Sequence, residues 1–262
     1  MNNTFENRKL LVVGGTSGVG LETAKLVLEQ GGSVVILGNR PEKAEDARQQ
    51  LAQINGEEKV TALTANLLDM DSVRGLIEIL KNQHNDIDLV LNSAGVYFPN
   101  TFLETDEKAY DGYLNLNKAV FFITQAVASS MIASKKQGSI VNITAALSQL
   151  PVKSTPMAAY SMAKFGLEAL TKNAAAELAD YGIRVNALPI GIIETRIFER
   201  FASAEQVDSA LENFKKYHAL GRNGTPRDVA EVAAFLLSDK ASWITGTIWN
   251  VDGGAMTRRT DA

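Results

Sequence analysis

Tyr160 and Lys164, in Tyr160-Ser161-Met162-Ala163-Lys164, stand four residues apart at the opening of a helical pattern, so phenol and ammonium share one helix face. A free phenol, with a pKa of about 10, is a poor base at neutral pH. A neighbouring ammonium stabilises the phenolate and draws that value toward the working range. Tyr160 is then able to exchange a proton with a substrate hydroxyl or carbonyl. An ordinary surface pair has the same spacing, so the assignment depends on what surrounds it.

A second constellation is Gly14-Gly15-Thr16-Ser17-Gly18-Val19-Gly20, placed between an apolar run and a helical pattern. Glycines there allow a tight turn and let backbone N–H groups approach a pyrophosphate at a helix N-terminus. The spacing is G-x-x-x-G-x-G, which departs from G-x-G-x-x-G, whose last glycine would fall on Thr23. After the next apolar run comes Gly38-Asn39-Arg40, where a dinucleotide's adenosine ribose would lie. A carboxylate at that point suits the 2′-hydroxyl of NAD, and a guanidinium suits a 2′-phosphate. With Arg40 and no acid, NADP(H) is expected over NAD(H), although NAD is possible.

The elements that must position these groups alternate along the chain. Apolar runs at Leu10–Val13, Val34–Leu37, Val60–Leu63, Ile87–Leu91, Ile140–Ile143, Ile183–Leu188 and Ile248–Val251 read as seven strands. Helical patterns separate them at Val19–Gln30, Pro41–Ile54, Asp71–His84, Lys108–Ala133 and Ala158–Ala179. This order implies an α/β fold: a single doubly wound sheet of seven parallel strands with helices on both faces. The 262 residues suit one domain, 1–262, without linker or repeat. Residues 194–221 break the alternation and carry Phe198, Phe201, Phe214 and Tyr217, and they are expected to form a substrate lid.

Composition narrows the classes. A net charge of −4 and the lack of a basic stripe argue against nucleic acid. Without cysteine there is no disulfide or thiolate site, which fits a soluble cytoplasmic protein. A polar start and short apolar runs argue against a signal peptide or membrane span. His84 and His218 are isolated, and no metal site is expected.

Together the glycine loop, Asn92-Ser93-Ala94-Gly95, the Tyr160/Lys164 pair, Arg184-Val185-Asn186-Ala187, Ile193-Glu194-Thr195 and Val251-Asp252-Gly253-Gly254 make the chain resemble the short-chain dehydrogenase/reductase family over nearly its whole length. The resemblance implies a seven-stranded Rossmann sheet, a homotetramer, and hydride transfer between a nicotinamide and a carbonyl/secondary alcohol pair. Tyr160 would be the general acid/base, Lys164 would also bind the nicotinamide ribose, and a helix asparagine would link the lysine to a relay water. That asparagine is placed at Asn117, with Asn115 as the fallback. Asn66 and Leu67 would face the adenine, Asn92, Ala94 and Gly95 would line the cofactor, and Ile193 and Thr195 would hold the carboxamide.

The departures are informative. Val13 replaces a usual threonine, Asn66 a usual aspartate, and Pro189-Ile190-Gly191 a usual proline-glycine. The sharpest is Ala145, standing where the family has the serine that donates to the reacting oxygen; loss of such a donor is worth about 10² to 10³ in rate. Thr144 or Ser148 is left as a substitute. Without one, the expectation shifts to a dinucleotide-binding protein with weak or no turnover that acts through partner contacts.

Overall fold

Alternate residues of each strand enter opposite apolar layers, which is why the apolar runs are unbroken. On β1 (Lys9–Val13) Leu10 and Val12 join one cluster, while Leu11 and Val13 join the other. The same division holds for Val34 and Ile36 against Val35 and Leu37 on β2 (Ser33–Gly38). A strand buried on both faces is the signature of a parallel sheet covered by helices. The computed structural model describes residues 3–98, 100–150, 156–195 and 204–257.

Six strands form the sheet, in the order β3-β2-β1-β4-β5-β6 and all parallel, with β3 at Val60–Thr64, β4 at Leu89–Asn92, β5 at Gly138–Ala145 and β6 at Ile183–Ile190. Helices α1 (Gly18–Glu29), α2 (Pro41–Asn55) and α7 (Pro226–Leu237) cover one face. The other face is covered by α3 (Met70–Gln83), α4 (Glu107–Ala133) and α5 (Ala158–Leu178). By length and composition α4 could cross a membrane, but half of its most apolar window is buried inside the protein.

The expected seventh strand is corrected by the structure. Residues 247–251 run beside β6 through two isolated parallel bridges, Ala187 with Ile248 and Ile190 with Val251. The N–H of Ala187 donates to Thr247, Trp249 donates to Ala187, Val251 to Pro189, and Gly191 to Val251. The missing rung falls at Pro189, which has no N–H to donate, so a regular ladder cannot form. The segment keeps the place of a strand without its continuous pairing.

Part of the expected lid is described: α6 (Ala204–Phe214), then a tight turn at Lys215–Tyr217 with the Phe214 and Tyr217 rings 6.1 Å apart. Phe198 and Phe201 lie outside the described residues.

Candidate active site

The candidate site lies along the C-terminal edge of the sheet, where the strand-to-helix loops converge. Between β1 and α1 the chain turns at Gly14, whose φ is 87°, and both Gly14 and Gly15 donate their N–H to the Leu37 carbonyl. A Cβ at Gly14 would stand 2.6 Å from the Ala94 nitrogen, and one at Gly20 would stand 2.2 Å from the Gly14 carbonyl oxygen. The loop is closed against the β4 loop, and only glycine fits at these two positions. Ser17 caps α1 without a side-chain hydrogen bond, leaving first-turn N–H groups at Gly18, Val19 and Gly20 for an anion. Thr16 packs on Gly38, and the Thr195 methyl lies 3.3 Å from where a Gly18 Cβ would be. This loop has the shape and the donors for a pyrophosphate.

Asn39 and Arg40 are exposed at the end of β2, and Arg40 begins α2 without an ion-pair partner among the described residues. Asn66 is exposed after β3, its side chain accepting the Leu68 N–H, and Leu67 packs into the α3-side core. Gly95 is exposed, and nothing would stand within 4 Å of an added Cβ. Asn92 is different: it is buried, its Nδ2 donating to Thr124 Oγ1 and Asn142 Oδ1 at 3.0 and 2.8 Å. It ties β4 to β5 and α4, and so supports the loop that follows β4 from inside the sheet.

Tyr160, Lys164 and Asn117 come together around a small cavity whose walls also include Ala94, Gly95 and Tyr113. Asn115 is not among its walls. Asn117 Nδ2 donates to the Ala163 carbonyl at 2.7 Å, fixing α4 to the turn of α5 that carries the pair. Lys164 is buried, its ammonium donating to the Ile143 carbonyl at 3.1 Å and lying 5.6 Å from the centre of the Tyr160 ring. Burial lowers the lysine to about 8. The Tyr160 phenol is pushed well above its ordinary value, first by burial and then by Tyr113 and Tyr97. In this arrangement Tyr160 holds its proton.

Two aromatic neighbours carry no motif in the sequence. Tyr97 and Tyr113 stand edge-on to Tyr160 with ring centres 5.7 and 5.8 Å away. Tyr113 accepts the Phe98 N–H at 2.6 Å, which holds the β4 loop over the site. Position alone could have suggested Tyr97, two residues beyond Gly95 at the end of β4; Tyr113 looks like any buried helical aromatic.

Ala145 ends β5 and is buried. The Thr144 hydroxyl donates to Glu168 Oε1 at 3.0 Å, inside the sheet–α5 contact. The Ser148 hydroxyl, in the short turn Ala146–Gln149, is buried without a hydrogen-bond partner among the described residues. Of the two candidate substitutes, Thr144 is therefore already engaged.

Residues 13–256 match a family model described as enoyl-(acyl carrier protein) reductase. The chain is 34% identical over 258 residues to a cyclohexanol dehydrogenase of Acinetobacter sp. (strain SE19), spanning 97% of this chain and 96% of that protein. It is 32% identical over 252 residues to a 3-oxoacyl-(acyl-carrier-protein) reductase of Thermotoga maritima, spanning 95% and 98%. A 3alpha-hydroxysteroid dehydrogenase of Mediterraneibacter gnavus is 32% identical over 253 residues, spanning 96% and 98%. A solved structure from Agrobacterium tumefaciens, described as a 2-deoxy-D-gluconate 3-dehydrogenase with bound NADP, superposes with a TM-score of 0.83 at 32% identity, covering 98% of this chain and all of that one.

Proposed function

Because the chain belongs to the short-chain dehydrogenase/reductase family of NAD(P)-dependent oxidoreductases, we propose that it reduces an uncharged, largely apolar ketone to a secondary alcohol, using NADP(H). The observation that carries this reading is the gathering of Tyr160, Lys164 and Asn117 around one cavity beside a glycine loop shaped for a pyrophosphate. A bound nicotinamide would supply the hydride. Gly14 and the first turn of α1 would hold the pyrophosphate, Arg40 the 2′-phosphate, and Ile193 and Thr195 the carboxamide.

The proton side of the reaction belongs to the chain. As the substrate carbonyl carbon gains the hydride and its π bond breaks, Tyr160 Oη gives its proton to the oxygen, leaving a phenolate. The Lys164 ammonium favours that phenolate and restores its proton through the cavity shared with Asn117. Burial keeps the phenol protonated beforehand, which suits reduction. Tyr97, Phe98 and Tyr113 make the surroundings of Tyr160 aromatic, and among the walls of that cavity Lys164 is the one cation. Such a wall favours an alicyclic or aromatic ketone over an anionic one. The names cyclohexanol dehydrogenase and 3alpha-hydroxysteroid dehydrogenase among the relatives point the same way.

Two further expectations accompany this reading. Apolar side chains exposed on α4 (Leu114, Phe121, Phe122) and α5 (Met162, Phe165), with Trp243 98% exposed near the C-terminus, support pairing of identical copies, as in a homotetramer. Residues 194–221 would close over the substrate. Ala145 favours one rival reading, in which the chain binds the dinucleotide but turns over weakly and acts through partners.

Fluorescence titration with NADPH and NADH tests the cofactor assignment. Wild type should favour NADPH, and Arg40→Asp should weaken NADPH about tenfold or more while sparing NADH. Equal loss for both dinucleotides would show that Arg40 does not meet a 2′-phosphate.

A further inference from the structure

His218 is 1% exposed and wedged between the loop that ends β6 and the C-terminal segment. A Cβ at Gly191 would stand 2.8 Å from its Nε2, and one at Gly253 would stand 3.4 Å from its Cβ. The Nε2 accepts the Ile192 N–H at 3.1 Å. Along this loop the Gly191 N–H is taken by the Val251 carbonyl and the Glu194 N–H by the Gly224 carbonyl. The Ile193 N–H has no partner among the described residues and is left available for a ligand carbonyl. A cavity of about 450 Å³, lined by Gly191, Ile192, His218 and Asp252 among others, flanks the loop, so close packing does not hold it on that side. There it is held by the hydrogen bond to His218 and by the parallel bridge between Ile193 and Gly224, in which the Gly224 N–H donates to the Ile192 carbonyl at 2.9 Å.

We propose that His218 is a positioning residue of the cofactor site: by accepting the Ile192 N–H it completes the backbone alternation that Val251 and Gly224 impose on residues 191–194 and turns the Ile193 N–H toward the nicotinamide carboxamide. This rests on the proposed use of Ile193 as a cofactor contact. His218 does not touch the cofactor itself. Its role requires a neutral ring, because a protonated Nε2 is a donor and cannot accept from Ile192.

The surroundings favour the neutral ring. Burial is the leading influence and pushes the imidazole below its ordinary value of 6.5; Asp252 and the Phe214 carbonyl pull it up, and Arg222 pushes it down. Arg222 is bound by Asp228 at 2.7 Å and also feels Glu194, and Lys215 in the preceding turn is paired with Glu212. A depressed folded value means the neutral-ring interaction is complete above about pH 6.5 and lost as pH falls through the lower folded value. Acid should therefore loosen the loop and weaken cofactor binding.

The test is NADPH titration of wild type, His218→Leu and His218→Gln between about pH 8 and about pH 5.5. At the upper end His218→Leu should bind NADPH about tenfold more weakly, and His218→Gln, whose side-chain carbonyl can still accept from Ile192, should bind near wild type. Wild type should lose more affinity on acidification than His218→Gln, because both share the dinucleotide's own titration and only wild type has the imidazole. Leucine and wild-type proteins with equal affinity, or wild-type and glutamine proteins with the same pH profile, would overturn the role of His218. A wild type that binds neither NADPH nor NADH would instead overturn the cofactor reading on which it rests.

Discussion

Replacing Tyr160 by phenylalanine is expected to lower ketone reduction by about 10² to 10⁴ while leaving NADPH affinity near wild type. The phenyl ring keeps the edge-on packing against Tyr97 and Tyr113, at 5.7 and 5.8 Å, so the site's shape survives. What goes is the one proton in that wall aimed at chemistry. The loss should therefore fall on kcat, and the variant should show native stability and cofactor titration. A parallel signature is expected in the wild-type pH profile. Burial lowers Lys164 to about 8, so the charge that favours the Tyr160 phenolate is lost as pH rises through that value, and the rate of reduction should fall with it. Equal rates for Tyr160→Phe and wild type on every substrate that reacts would remove Tyr160 from the mechanism.

Ala145→Ser is expected to raise kcat/KM by about 10². Ala145 closes β5, four residues after Val141, at the strand edge that holds the site. Its methyl group cannot donate to a substrate oxygen. The nearest chain neighbour with a hydroxyl, Thr144, spends it on Glu168 at 3.0 Å. Natural turnover is then limited by a missing donor, and a serine hydroxyl would restore it. An unchanged rate would mean that another hydroxyl already holds the oxygen; the buried, unpartnered one of Ser148 is the first to test, by Ser148→Ala. A gain in Ala145→Ser together with a barely measurable wild-type rate would favour the binding-protein reading for the natural chain.

Much of this layout was legible in the residues because parallel sheets are written in short, continuous apolar runs. Six of the seven expected runs became ladder strands, and the five helical patterns became α1 to α5 with no end displaced by more than one residue. The seventh run failed for a reason visible only once its partner was known: Pro189 faces it and cannot donate. The glycine loop was legible because its geometry forbids other residues at Gly14 and Gly20. Within the sheet the Asn92 Nδ2 donates to Thr124 and Asn142. Spacing along one strand could not show that contact, since the partners come from α4 and β5. Tyr113 and His218 were illegible for the same reason. Each acts through a neighbour far away in sequence, Tyr113 on Phe98 and His218 on Ile192. The Tyr160/Lys164 pair was foreseen as ammonium beside phenolate, whereas the folded lysine donates to the Ile143 carbonyl and burial pushes the phenol above its ordinary value. Helix spacing placed the two groups on one face, but burial set the direction in which each is shifted, the lysine down and the phenol up.

The most direct measurement is isotopic. The protein is incubated with NADPH carrying deuterium at nicotinamide C4, on each face in turn, and a panel of cyclic and aromatic ketones, and the products are read by mass spectrometry. Transfer of one deuterium to the carbinol carbon of at least one alcohol, from one face only and suppressed in Tyr160→Phe, is the result expected. Tight NADPH binding with no deuterated alcohol from any ketone, in wild type and in Ala145→Ser alike, would contradict the assignment of this chain as a ketone reductase.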